Sequence, residues 1–543
     1  MREIAVPSLM PRPTPTIRPL RSALVFLGLV AIASMLRFPS LADRPMHGDE
    51  AVHADKFGVL LEQGRYEYST VDFHGPTLYY LTLIPARLQG VRHYADLNEV
   101  TLRFVPAFLG VLLVAAHFLL VPYIGLPAAA TAGLLTAVSP AMVYYSRYYI
   151  HETLLVFLTF CTLLSVLRYF QARRPSWALV TGVLVGLMYT TKETMIISLG
   201  CMLLAVVAML MVEKLRGDTS LAVVVPARHL AIAVLGALLT TIVLISSFLS
   251  NSHGILDSVL AFRSYFERSL GVNTLHIHPW TYYISHLFFY RSAGGPVWSE
   301  ALIAGLALAG LGAAFSREGV AGVNPRVLRF IAFYALFMVA IYSLIPYKVP
   351  WNVLGFLHGM ILLSGAGLVW LITAARNIVT KAVMVGLVAV CVVHLGWQAR
   401  LSSIEYGADP RNPWVYAHTG RDIDLIMKNL EELASVHPGG HSLSIQIVSG
   451  ENLWPLPWYL RRFSGVRWWN GVSETVAAAP VVLATPDMEP ALVRKFYELP
   501  APGQREMYVR MFDGYVELRP RVEVRGYVAK SLWDQSRLNR DAP

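Results

Sequence analysis

What most constrains this chain is a repeated run of about 17–25 apolar residues, broken by short polar stretches. A run of that length, coiled as helix, crosses the roughly 30 Å hydrocarbon core of a bilayer. Eleven such spans are predicted, near 22–41, 100–122, 126–145, 153–170, 177–191, 194–213, 229–249, 297–315, 327–346, 351–375 and 380–398. Composition agrees: 55% of the 543 residues are hydrophobic and 15% charged, where a soluble domain carries about 25% charged residues. The expected fold class is an α-helical polytopic membrane protein.

The net charge of +10 invites a nucleic-acid reading. The basic residues instead lie in short clusters between apolar runs, which is how a membrane protein carries its topology signal, so no nucleic-acid partner is expected. Arg2, Arg12, Arg18 and Arg21 precede the first span. Arg168, Arg173 and Arg174 follow the fourth, and Lys214, Arg216 and Arg228 follow the sixth. Arg317, Arg326 and Arg329 follow the eighth, and Arg376 and Lys381 the tenth. All fall on one side if the N-terminus is cytoplasmic, so residues 1–21 read as a cytoplasmic tail. A cleaved signal peptide is the rival for the first span, but the run is long and lacks a small-x-small cleavage site. Cys161, Cys201 and Cys391 all sit in apolar runs, as packing residues, and give neither a zinc spacing nor a disulfide framework.

This orientation turns 42–99, 146–152, 192–193, 250–296, 347–350 and everything after about 399 outward. The transmembrane part spans 22–398. From 399 to 543 the pattern changes to a charged helix over 422–432 and short β-like runs at 442–448 and 481–484, separated by Pro and Gly. These predict a small extracytoplasmic α/β domain. No internal repeat of the inverted-transporter kind is visible.

The polar residues gather at the outer ends of spans. The first outward loop opens on His47-Gly48-Asp49-Glu50 and continues to His53, Asp55 and Lys56. Such an acidic pair can supply a general base and a partner that holds it or a metal. His47 and His53 make a divalent metal conceivable there, but their spacing matches no standard zinc pattern, and the reading without metal is preferred. Asp72-Phe73-His74-Gly75-Pro76 then leads into Thr77-Leu78-Tyr79-Tyr80, whose short aromatic run suits a helix lying at the interface. At the outer end of the third span, Arg147 and His151 stand four apart, on one face of a continuing helix, followed by Glu152. Arg147 can fork a phosphate or simply snorkel from a tyrosine belt. Lys192 with Glu193, and Lys348, stand at other outer ends, where basic residues ask for an anionic partner such as a lipid phosphate. Trp454 and Trp458 of the C-terminal domain can stack on a sugar or dock the domain onto the membrane.

Taken together, HGDEAVHADK, DFHGPTLYY, YSRYYIHE, TTKET, IPYKVPW and WPLPWYLRRF, spread from about residue 45 to 470, resemble the GT-C glycosyltransferases. Within that superfamily the chain is similar to the protein mannosyltransferase and aminoarabinose transferase group, and to a flippase-activity-associated branch from archaeal and bacterial glycosylation loci. The resemblance implies a polyprenyl-phosphate sugar donor and inverting transfer to a glycan, lipid or protein acceptor on the non-cytoplasmic face of the plasma (inner) membrane. It places Asp49 at the catalytic acidic position with Glu50 as its neighbour, and Lys192 beside the donor phosphate. Glu152 departs from the Asp common in relatives. The expected mechanism has Asp49 as base and Arg147, Lys192 and Lys348 on the phosphate. His47, His53, His74, His151, Glu152 and Glu193 support the site, and Trp454 and Trp458 meet sugar or acceptor. The rival class is a lipid-sugar flippase or a non-catalytic partner. A flippase predicts ionisable groups deep in the spans, where the sequence offers few, His394 being the nearest to an exception.

Overall fold

The computed structural model describes residues 19–70, 74–217, 224–272, 276–292 and 294–540. Arg2, Arg12 and Arg18 of the tail, and Asp72 and Phe73 of the first loop, lie outside them. Among the described residues, eight helical stretches are long and apolar enough to cross a membrane. They include α1 (Pro19–Arg37), and the stretch Glu99–Val138 holds two helices, α4 (Glu99–Ala116) and α5 (Val121–Val138). A 3-10 turn and Gly125, with φ of 76°, separate their straight parts, a conformation glycine adopts without Cβ strain.

The remaining long helices are α6 (Glu152–Ala172), α8 (Met195–Leu215), α9 (Ala227–Ile245), α12 (Pro325–Leu344), α13 (Val353–Ala374) and α14 (Ile378–Arg400). Two shorter apolar helices, α7 (Pro175–Tyr189) and α11 (Ala301–Phe315), have 15 residues each. At 1.5 Å per residue these two reach only about 22 Å. A helix therefore occupies each of the eleven predicted runs, although two fall short of a full crossing by themselves.

Small residues set the packing. A Cβ on Gly310 would lie 2.2 Å from the Leu363 carbonyl, and one on Gly367 would lie 2.1 Å from that of Leu306, so α11 and α13 touch backbone to backbone. Close approach of this kind replaces the hydrophobic drive that lipid cannot supply. The interior also departs from expectation. His394 is exposed, whereas His117 and His358 are buried in the bundle with ring centroids 5.2 Å apart. Both were missed because each is a single polar residue in an apolar run.

Outside the spans, the first loop folds into α2 (Gly48–Gln63) and α3 (Thr77–Leu88). Between α9 and α11 lies the amphipathic α10 (His253–Ser269), which leaves Leu256, Val259, Leu260 and Phe266 exposed. The C-terminal domain is built on α15 (Asp422–Val436), whose Ile423, Ile426, Leu430 and Leu433 form one buried stripe. That stripe shares a core with Ile445, Ile447, Val481 and Leu483 of the sheet. The sheet has five strands in the order β2-β1-β3-β7-β4. In it, β1 (Ile445–Val448) runs parallel to β2 (Val466–Trp469) and β3 (Val481–Ala484). A separate hairpin pairs β5 (Glu517–Arg519) with β6 (Val522–Glu523), while β7 (Arg525–Ala529) runs antiparallel to β3 and to β4 (Tyr508–Arg510). Every residue of β1 and β3 is buried, as expected of strands covered on both faces.

The domain sits on the first loop. The Met46 N–H donates to the Tyr459 hydroxyl at 2.8 Å, and the Thr419 hydroxyl donates to the Met46 carbonyl at 2.7 Å.

Candidate active site

The start of α2 is a capping box. His47 Nδ1 accepts the Asp49 N–H at 3.0 Å, and the Glu50 carboxylate accepts the His47 N–H at 3.0 Å. This fixes the first turn and sends the two acids to different surroundings. Glu50 is wholly buried between two guanidiniums: Arg44 Nη1 reaches Oε2 at 2.9 Å, and Arg103 Nε reaches Oε1 at 2.8 Å. It also accepts the Tyr149 N–H at 2.9 Å. Burial alone would raise its pKa, but Arg103 and then Arg44 outweigh this and hold it well below the usual carboxylate range. Glu50 is thereby committed to joining α2, α4 and the 146–151 turn. Unlike Asp49, it does not line the site's cavity.

Asp49 faces a cavity of about 1160 Å³ instead. Among the described residues none donates a hydrogen bond to its carboxylate. Lys192 and Glu152 line the same cavity and form a buried ion pair, Nζ donating to Oε1. His47, His53, His74 and Glu193 also line it. Glu193 accepts from His74 Nδ1 at 2.9 Å, from the His74 N–H at 3.0 Å and from the Tyr68 hydroxyl. Burial works against its charge, yet His74 and then Tyr68 bring its pKa to about 2.

Apolar side chains also line the cavity: Ile196 and Ile197 of α8, Ile341 and Leu344 of α12, and Phe266 of α10. Of these, Ile196, Leu344 and Phe266 are exposed, so the apolar part of the lining reaches the surface of the helices.

Backbone approach locks the loop that carries His74. A Cβ on Gly75 would lie 2.1 Å from the Thr190 carbonyl, so no larger residue fits. The Gly75 N–H donates to the Thr191 carbonyl at 3.2 Å, and Thr77 N–H to that of Thr190 at 3.1 Å.

Other expected site residues lie elsewhere. Arg147 spends its guanidinium on the carbonyls of Arg37, Pro39 and Ser40, at 2.9, 2.6 and 3.0 Å. These are orphan acceptors beyond the end of α1, so the arginine holds the chain there and does not line the cavity. Lys348 is buried, its Nζ donating to the carbonyls of Ile345 and His278, and it too is off the cavity wall. His151 is buried behind the wall, its ring centroid 4.7 Å from that of His53 and its Nε2 3.1 Å from the Gly75 carbonyl. Trp458 is no sugar platform: it is fully buried, its Nε1 donates to Glu99 at 2.8 Å, and Arg461 covers its ring at 3.8 Å. Trp454 is half-buried at the domain contact, its Cβ 3.8 Å from where a side chain on Gly48 would begin, and is not part of the cavity wall.

Internal partners thus account for most of the outer basic residues that had seemed to require an external anion. Both nitrogens of His47 are engaged, Nδ1 with the Asp49 N–H and Nε2 with the Tyr416 carbonyl, each at 3.0 Å. Among the described residues no group of three His, Cys, Asp or Glu side chains is placed to hold a metal.

Several lining residues had no sequence signal. Arg268 ends α10, His276 bonds the Tyr416 hydroxyl, and Arg519 enters from the C-terminal domain. Arg268 and His276 both stood in the segment 250–296 read as an outward loop, where a polar search could have stopped at them, and Arg519 in the C-terminal domain.

Fold and cavity together define a polytopic membrane protein with a cleft lined by both polar and apolar side chains. Its architecture is a GT-C-like fold, shared with ArnT. Residues 87–262 match the family model of dolichyl-phosphate-mannose-protein mannosyltransferase. The crystal structure of ArnT from Cupriavidus metallidurans bound to undecaprenyl phosphate superposes with a TM-score of 0.60 at 14% identity, covering 94% of this chain and 98% of that one. The apo state of the same protein gives 0.56 at 16% identity, covering 94% and 99%. No curated protein matches in sequence.

Proposed function

We propose that this protein is a membrane glycosyltransferase that moves a sugar from a polyprenyl-phosphate donor to an acceptor hydroxyl on the non-cytoplasmic face. The observation that carries this reading is the mixed lining of the cavity. Its apolar side chains from α8 and α12 suit an isoprenoid chain, and its charged ones include Asp49 and Lys192. That ArnT, which shares the fold, binds undecaprenyl phosphate supports the donor class.

In this mechanism Asp49 accepts the proton of the acceptor hydroxyl as its oxygen attacks the anomeric carbon. The bond from that carbon to the phosphate oxygen breaks with inversion, and the lipid phosphate leaves. An Asp free of hydrogen-bond donors keeps its lone pairs available for that proton. Lys192 meets the phosphate charge, and Glu152 keeps the ammonium charged and in place while the cavity is dry. Arg147 and Lys348, occupied by carbonyls, take no part.

The test is transfer by the purified protein in detergent, using a panel of radiolabelled polyprenyl-phosphate sugars. Label should move to acceptor with at least one donor and not with the matching nucleotide sugars. Failure with every polyprenyl donor, while the protein still speeds lipid-sugar crossing in vesicles, would replace this reading with that of a flippase.

A further inference from the structure

Arg519 is a cavity residue that neither the sequence reading nor the mechanism accounts for. It ends β5, on the β5–β6 hairpin of the C-terminal domain, and reaches into the cleft beside Asp49. The hairpin is fixed to the start of α15: the Gly420 N–H donates to the Leu518 carbonyl at 2.9 Å, and Asp422 accepts the Glu517 N–H at 2.9 Å. The strand that carries the arginine is therefore anchored at the two residues before it, by one backbone donor and one side-chain acceptor.

Its guanidinium is only partly used. One Nη donates to the Asn452 carbonyl, while Nε is buried without a partner. The acidic groups whose fields reach it are Glu451 and Asp49, and neither forms an ion pair with it among the described residues. This sets it apart from Arg44 and Arg103, committed to Glu50, and from Arg147, committed to carbonyls. The Nη that serves Asn452 lies on the Nε edge, so the nitrogen left open to an outside acceptor is the other Nη, and the end of a planar guanidinium can present its two Nη groups to the two oxygens of a phosphate or carboxylate.

We propose that Arg519 forms a second anion site in the cavity, besides Lys192, and that it holds an oxyanion carried by the acceptor. This rests on the glycosyltransferase reading. The donor phosphate is assigned to Lys192, whose ammonium is paired with Glu152, whereas the acidic groups that reach Arg519 are Glu451 and Asp49. Arg519 comes from the domain outside the spans and meets the cavity at Asp49, the group that must touch the acceptor hydroxyl. An acceptor phosphate or an acidic sugar would be steered so that its hydroxyl faces the base.

The experiment uses the full protein in nanodiscs saturated with undecaprenyl phosphate, titrated by calorimetry with inorganic phosphate and, separately, with glucuronate. The wild type should bind at least one of them on top of the lipid, and the stronger ligand names the acceptor's anion. Arg519→Gln should weaken that binding at least tenfold, and Arg519→Lys, which keeps charge but loses the fork, by less. Melting temperatures of both variants should match the wild type. The proposal is overturned if the wild type binds neither anion beside the lipid, or if Arg519→Gln binds as tightly as the wild type. It is equally overturned if the lipid competes the anion away, since Arg519 would then serve the donor phosphate. If undecaprenyl phosphate itself does not bind but an Arg519-dependent anion site is found, the donor reading falls and the site stands.

Discussion

Asp49 and Glu50 are neighbours in sequence and opposites in surroundings: one faces an open cleft, the other is sealed between Arg44 and Arg103. The division follows from the helix start, where a residue in the capping position turns inward and its predecessor stays on the rim. The two acids should therefore fail in different ways when altered.

Asp49→Asn keeps the shape of the side chain and removes its ability to take a proton. Transfer should fall by roughly 10²–10⁴-fold, with melting temperature and undecaprenyl phosphate binding unchanged. Near-full activity in the radiolabel assay would end the assignment of Asp49 as base.

Glu50→Gln leaves two buried guanidiniums without a counter-charge. Breaking such a pair costs about 3–5 kcal/mol, so this variant should show a large drop in melting temperature or fail to purify as a monodisperse species. A protein of wild-type stability with selectively lost turnover would instead return Glu50 to the chemistry.

Lys192 and Glu152 should show the signature of a coupled pair. Lys192→Ala exposes Glu152 to an unpaired burial and should lower both stability and affinity for undecaprenyl phosphate. Adding Glu152→Gln should restore much of the stability and none of the affinity, because the phosphate still lacks its cation. Recovery of lipid affinity in the double variant would contradict the role given to Lys192.

Glu193 sets a pH window. Its pKa falls from 4.5 to about 2 on folding, so its contribution is fully present above about pH 4.5 and is lost as pH falls through about 2. A shift of that size corresponds to on the order of 3 kcal/mol. The melting-temperature gap between wild type and Glu193→Gln should stay constant from pH 7 to 5 and narrow toward pH 3. A gap independent of pH would mean that the carboxylate's charge is not what holds His74.

Orientation is tested with reporter fusions after Arg174 and after Arg400. The basic clusters predict opposite sides, the first cytoplasmic and the second external. Finding both on one side would separate the residues of the proposed site by the membrane.

The spans were legible because length and apolarity are local properties, and a helix stands in every predicted run. Asp49, Glu152 and Lys192 were legible as polar residues at outer helix ends, and they meet in one cavity. The misplaced residues share a cause: each is decided by a partner far along the chain. Arg103 claims Glu50 from 53 positions away, the carbonyls after α1 claim Arg147 across more than 100, and Glu99 claims Trp458 across 359. Arg519 carried no local mark, because its value comes from a hairpin braced by another element. Charge type and helix-end position can nominate a residue, but they cannot say whether the fold has already used its hydrogen bonds.

The contact of Gly75 with Thr190 bears on how such proteins diversify. The loop bearing His74 and the turn bearing Lys192 and Glu193 are joined through backbone, so neither can be re-tailored alone. A chimera that imports one segment from a relative inherits a mismatched seam, whereas exchange of both together preserves it. Across descendants of this fold, the two segments should behave as one heritable cassette.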